Sequence, residues 1–178
     1  MEQKTKISTI IGQYGVLFGL IMILEFVIGY VFNIDPQTNK IYGIVINVLN
    51  FLVLPFVFCF LGAQYYKKSQ GGLISIGESL KIGVGLTALG SLINGIFFMI
   101  FTIIFPEYID ELIAKVQSIT IQQNPNMSLD QIKMMTGMMK KMMSPIISIP
   151  LGIVMYSFIA LIHSVIVGLI VKKEQASF

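Results

Sequence analysis

Four long apolar runs, 7–32, 41–66, 82–105 and 146–171, constrain this chain more than any other feature. Each is longer than the ~20 residues an α-helix needs to cross a 30 Å hydrocarbon layer. Lipid offers no hydrogen bonds to an open backbone, so an open chain can cross it only as a helix, which satisfies its own N–H and C=O groups. Composition points the same way. The chain has 178 residues, 55% hydrophobic and 12% charged, against about 25% charged in an ordinary soluble domain. The expected fold is an all-α polytopic membrane bundle with four transmembrane helices, one membrane domain over residues 1–178.

The links between the runs carry turn chemistry. Segment 33–40 holds Asn33, Asp35, Pro36 and Asn39, residue types that favour turns. Gly71 and Gly72 follow the second run and permit the backbone angles that stop a helix. The third link, 106–145, is long enough to hold structure of its own. The apolar core of a cleaved signal peptide spans about 7–15 residues. The first run exceeds that, so it reads as a retained transmembrane helix.

Orientation follows from lysine placement. Lys4, Lys6, Lys67, Lys68, Lys81, Lys172 and Lys173 fall on one side of the membrane. Lys40, Lys115, Lys133, Lys140 and Lys141 fall on the other, where Asp35, Glu107, Asp110, Glu111 and Asp130 oppose them. Both termini are therefore expected to be cytoplasmic, with 106–145 external. Tyr30, Tyr42 and Tyr108 mark the external boundary and Tyr65 and Tyr66 the internal one, as an aromatic belt does.

Several function classes are disfavoured. The net charge of +3 is diffuse and all twelve basic residues are lysine, so no basic stripe for nucleic acid exists. Cys59 is the sole cysteine and excludes an intrachain disulfide. No phosphate-binding glycine loop, nucleophile–base pair or carboxylate dyad is present. The chain is expected to be no enzyme and to need neither cofactor nor metal.

Two segments carry a resemblance. KKSQGGLISIGESLKIGVGLTALGSLINGIFFMIF joins a Gly-Gly turn to a glycine-rich helix, and NPNMSLDQIKMMTGMMKKMMSPIISIPLGIV runs a helix into a Ser-Pro step. With the lysine-bearing ending VKKEQASF, their order resembles the bacterial membrane-protein family "domain of unknown function 4199". The resemblance covers nearly the whole chain and implies four spans in a bacterial inner membrane. It implies no activity and supplies no functional residues. Two features depart from the family pattern, namely Ile76 where many members have an aromatic and the high methionine content of the external helix.

Among single residues Glu25 stands out. It lies about 10 Å inside the external boundary of the first run. A carboxylate at mid-membrane costs on the order of 2.5–3.5 kcal/mol on insertion scales, so such groups face protein or water. Glu25 reads either as a structural group facing Asn47, Asn50 or Asn94, or as the proton carrier of a small transporter. His163, the only histidine, lies in the cytoplasmic half of the fourth run. It reads as a buried hydrogen-bonded residue or as part of a water-linked relay, but not as a direct partner of Glu25. Pro55 should kink the second helix near Phe51.

Small residues recur every four positions as Gly83, Thr87, Ser91 and Gly95, as Gly15 and Gly19, and as Ala160, Ser164 and Gly168. Residues at this spacing share a helix face and let backbones approach closely in lipid, within the bundle or across a homodimer seam. Glu78 and Lys81 are spaced to pair on the third helix.

In the external segment Ser128 and Gln131 form a capping box. The helix behind it is amphipathic, with Met134, Met135, Met138, Met139, Met142 and Met143 on one half. It reads as a membrane-surface or bundle-capping helix, a partner-docking helix, or a Cu(I) site. The expected function is a non-enzymatic inner-membrane protein acting through itself, lipid or a membrane partner. The alternative is a small oligomeric proton-coupled transporter using Glu25.

Overall fold

The computed structural model of the chain describes residues 5–34 and 39–173. The readings that involve Lys4, Asp35, Pro36 and the ending beyond Lys173 fall outside the described residues. The chain forms α1 (Ile7–Val31), α2 (Lys40–Val48), a π-helical turn (Leu49–Val53), α3 (Leu54–Ser69), α4 (Ile76–Ile104), α5 (Glu107–Gln123), α6 (Leu129–Met142) and α7 (Pro145–Val171). Helices α2 and α3 run on through the π turn as one rod of 30 residues. That rod and α1, α4 and α7 are the four candidate membrane spans, and only 17–28% of their most apolar windows is buried inside the bundle. The remaining apolar surface faces outward, as a bilayer requires.

Two expectations are corrected. The third span begins at Ile76 rather than residue 82, because Ser75 caps it. Ser75 Oγ accepts from the Glu78 N–H at 3.2 Å and Glu78 Oε2 accepts from the Ser75 N–H at 2.8 Å. This capping box satisfies orphan donors of the first turn and carries the helix through the polar stretch before its apolar run. Glu78 Oε1 meanwhile accepts from the Tyr66 hydroxyl at 2.9 Å. Its oxygens are thus engaged by Ser75 and Tyr66, and Lys81 acts on it only as a nearby charge.

The second correction concerns segment 106–145, which holds two helices instead of one. α5 packs beside α6, and Lys140 Nζ bonds Asp110 Oδ1 at 2.9 Å between them.

Helix ends follow local chemistry. α1 stops at Asn33, which adopts φ +52°. The Ile34 N–H donates to Gly29 O at 2.9 Å and the Asn33 N–H to Tyr30 O at 3.1 Å. α3 stops in the same way at Gly71 (φ +70°), with the Gly72 N–H donating to Lys67 O at 2.9 Å. Both are Schellman turns, which need a residue that tolerates left-handed backbone. One face of the bundle then ties itself together. Gln70 Nε2 donates to Thr5 O at 2.9 Å, and Ile74 and Lys173 exchange backbone hydrogen bonds at 3.0 and 3.1 Å. Thr5, Lys173 and the α3–α4 turn thus share one face, here the tail face. Helices α5 and α6 mark the opposite face, the loop face.

α4 is the central helix, packed on α1, α7 and α3. The small-residue stripes make these contacts. A Cβ on Gly15 or Gly19 would stand 2.9 Å from Leu86 O or Gly90 O. A Cβ on Gly83 would overlap Ser164 Oγ outright. All three stripes therefore pack within the bundle. Ser79 Oγ donates to Ser164 O at 3.3 Å and Ser164 Oγ to Cys59 Sγ at 3.5 Å, which adds polar contacts among α3, α4 and α7.

Candidate functional site

Pro55 has no N–H to give Phe51 O, so the regular i→i−4 ladder cannot continue through it. The rod widens into the π turn at Leu49–Val53, just ahead of the proline and around Phe51. A π turn carries more than four residues per turn, so Asn50 and Pro55, five apart, both face the bundle. Below the turn α3 packs on α1, α4 and α7. Above it α2 has no extended backbone packing on any of them. Tyr42 ties it to α1, its hydroxyl lying against Gly29, 2.9 Å from where a Cβ would stand.

The gap so formed is a cavity of about 460 Å³ in the loop-face half of the bundle. Its polar floor carries Glu25, Asn47, Asn50 and Asn94. Asn47 Nδ2 donates back to Gly43 O at 2.8 Å and Asn50 Nδ2 to Ile46 O at 3.1 Å. Each thus gives one amino hydrogen to its own helix. Asn50 also stands against the Glu25 carboxyl, and Tyr156 of α7 lies close enough to feel its charge. Glu25 Oε2 and Asn50 Oδ1 are nevertheless buried without a hydrogen-bond partner. Unpaired buried acceptors are uncommon in folded proteins because desolvation goes uncompensated.

The wall is aromatic. Phe26 meets Phe97, Phe98 and Tyr108 edge-on at centroid distances of 5.9, 5.7 and 5.7 Å. Tyr108, Glu111, Leu112 and Lys115 of α5 line the mouth. Beneath the floor Phe18 packs on Phe58 at 5.4 Å and on Tyr156 at 5.8 Å, and Phe51 stacks on Tyr156 at 5.8 Å. This aromatic plug closes the cavity toward the tail face.

A family model described as "Protein of unknown function (DUF4199)" matches residues 13–173, which covers three spans whole, most of α1 and both loop helices. The chain belongs to this family. The resemblance drawn from the turn, helix and tail segments is thereby confirmed. DUF4199 names no activity, so the site has to speak from its own geometry. Comparison with curated proteins and with solved structures gives no match.

Of the predicted site residues, Glu25 lies on the cavity floor with all three asparagines named as its candidate partners. His163 does not belong there. It is buried on α7 on the tail-face side of the plug, edge-on to Phe56 at 6.0 Å, with Nδ1 lacking a hydrogen-bond partner. The two candidates are not brought together in this DUF4199 chain.

Sequence reasoning missed α5 and Tyr156. The helical spacing of Ile109, Leu112, Ile113 and Val116 was the available signal for α5, and a tyrosine deep inside an apolar run was the signal for Tyr156. The capping box at Ser128 is present, with the Gln131 N–H donating to Ser128 Oγ at 3.3 Å. The methionines split into two stripes. Met135, Met139 and Met143 are partly buried beside Ile132, while Met134 and Met138 are 68% and 59% exposed.

Proposed function

We propose that this protein works without covalent chemistry, by holding an amphiphilic molecule of the outer leaflet in the cavity between α1, α2, α4 and α7. The loop face then points outward and the tail face inward, in the sense of the lysine asymmetry. The cavity itself carries the reading. Its volume lies in the ~300–1,000 Å³ range of small-molecule sites, and it combines a largely apolar lining with a few convergent polar groups. α2 stands away from α7 with no helix–helix seal between them, which supports entry from the side, out of the lipid.

The test is direct. Asn94→Phe puts a ring into the floor of the cavity. The purified variant should retain less than half the co-purifying lipid of the native protein, read by mass spectrometry of the extracted lipids. Equal lipid in a folded variant would contradict the proposal.

A second reading, proton-coupled transport through Glu25, is favoured by the carboxyl group in a membrane cavity. It requires the Phe18–Phe58–Tyr156 plug to open. Reconstituted vesicles in which Glu25→Gln leaves proton-driven flux intact would remove it.

A further inference from the structure

The floor of the cavity is built to receive hydrogen-bond donors. Two acceptor oxygens, Glu25 Oε2 and Asn50 Oδ1, are buried on it without partners. Asn50 stands against the Glu25 carboxyl, yet these two oxygens keep no donor, and part of the donor capacity beside them is turned to backbone. Asn47 and Asn50 each give one amino hydrogen, to Gly43 O and Ile46 O. The floor thus offers a carboxyl group and carboxamide oxygens, while the lysine of the lining, Lys115, stands on α5 at the mouth. A phosphate or sulfate placed there would face oxygens and be repelled. A neutral hydroxyl would engage only one acceptor with its single proton.

An ammonium group fits better. It brings up to three N–H donors for two unsatisfied acceptors, and its charge complements the carboxylate in a site where lipid and protein exclude water. The aromatic wall adds to this. Phe26, Phe97 and Phe98 stand around the same space, and ring faces attract cations. Their apolar bodies also match the chain that an amphiphile carries behind its head.

We infer that the ligand is an amine-headed amphiphile, its protonated amine seated between Glu25 and Asn50 and its tail directed along the aromatic wall toward the lipid. This rests on the amphiphile reading above and names the head group. An ammonium head can come from an aminolipid such as phosphatidylethanolamine or from a free alkylamine, and the chemistry at the floor is shared.

Native mass spectrometry of the detergent-solubilised full chain tests it, with octylammonium, octyltrimethylammonium, octanol, phosphatidylethanolamine and phosphatidylcholine as probes. Octylammonium should bind about tenfold or more tighter than octanol, because only the amine pairs with the carboxylate. It should also exceed octyltrimethylammonium, which has charge but no donor. Phosphatidylethanolamine outranking phosphatidylcholine would identify the lipid as the source. Binding of octylammonium without that preference would support a free amine. Glu25→Gln should abolish the amine preference, so that octylammonium no longer binds tighter than octanol. Asn50→Ala keeps the carboxyl and should weaken octylammonium several-fold, which covers the case of an unfolded Glu25 variant. Octanol and octylammonium binding equally, or Glu25→Gln keeping the preference, would overturn the head-group inference while the amphiphile reading stands. If no probe binds, and Asn94→Phe changes nothing, both fall.

Discussion

At the scale of single residues, space decides more than polarity. Gly90 packs where α4 crosses α1. A Cβ there would run into the Phe18 ring and stand 3.0 Å from Gly15 O and 3.1 Å from Gly19 N. The ring can turn, but the two backbones cannot move apart without opening the seam. Gly90→Ala should therefore destabilise the folded protein by about 1–3 kcal/mol, the range for overpacking a filled interior. Gly12 lies on the same helix as Gly15 with nothing within 4 Å of a Cβ. Gly12→Ala should be neutral or stabilising by up to about 1 kcal/mol through helix propensity. Unfolding both variants in a denaturing detergent titration checks the pair, and equal midpoints would refute the assignment of the seam. Glu25 was legible at this scale because a lone carboxylate inside an apolar run has to be explained. Its asparagine neighbours were legible as polar residues in the facing helices. That Asn50 and Pro55 share a face was not, since that depends on a π turn which breaks the 3.6-residue period used to assign faces.

At the scale of elements, the spans were readable from length and hydropathy alone, while their ends required side-chain geometry. The glycine stops at Gly71 and Gly72 behaved as their conformational freedom implies. The start of α4 was displaced by the Ser75–Glu78 box, which lies ahead of the apolar run where hydropathy gives no signal. α5 was missed because its charges, Glu107, Asp110, Glu111 and Lys115, conceal a helical stripe that is shorter and less apolar than a span. The Ser128–Gln131 box of α6 was read correctly because the motif is wholly local. It yields a clean expectation. Ser128→Ala removes an N-cap worth about 0.5–2 kcal/mol, so the first amides of α6 should exchange hydrogen with solvent roughly fivefold faster, as a loss of about 1 kcal/mol requires. Amides in α4 should not change. An unchanged α6 would mean that contact with α5, not the cap, holds its first turn.

At the scale of the molecule, the two faces of the bundle differ in build. The tail face is closed by hydrogen bonds between Gln70 and Thr5 and between Ile74 and Lys173, and the packed half above it is sealed by the aromatic plug. The loop face is open, because the rod loosens at Pro55 and α2 stands apart. Neither contrast could be read from hydropathy, which treats the four spans alike. It arises from which helices meet, a long-range property that one proline and a few glycines impose.

The central claim is that these helices cross a bilayer and leave a polar cavity on the loop-face side of the aromatic plug, closed toward the tail face. Cys59 is the only cysteine and is buried, so a Cys59→Ser background accepts single reporters. Cysteines placed at Glu111, Asn94 and Lys172 can be labelled with a membrane-impermeant maleimide from either side of vesicles of known orientation. The account expects positions 111 and 94 to react from one side and position 172 only from the other. Reaction of position 94 from the side that labels position 172, or of all three positions from one side, would contradict it.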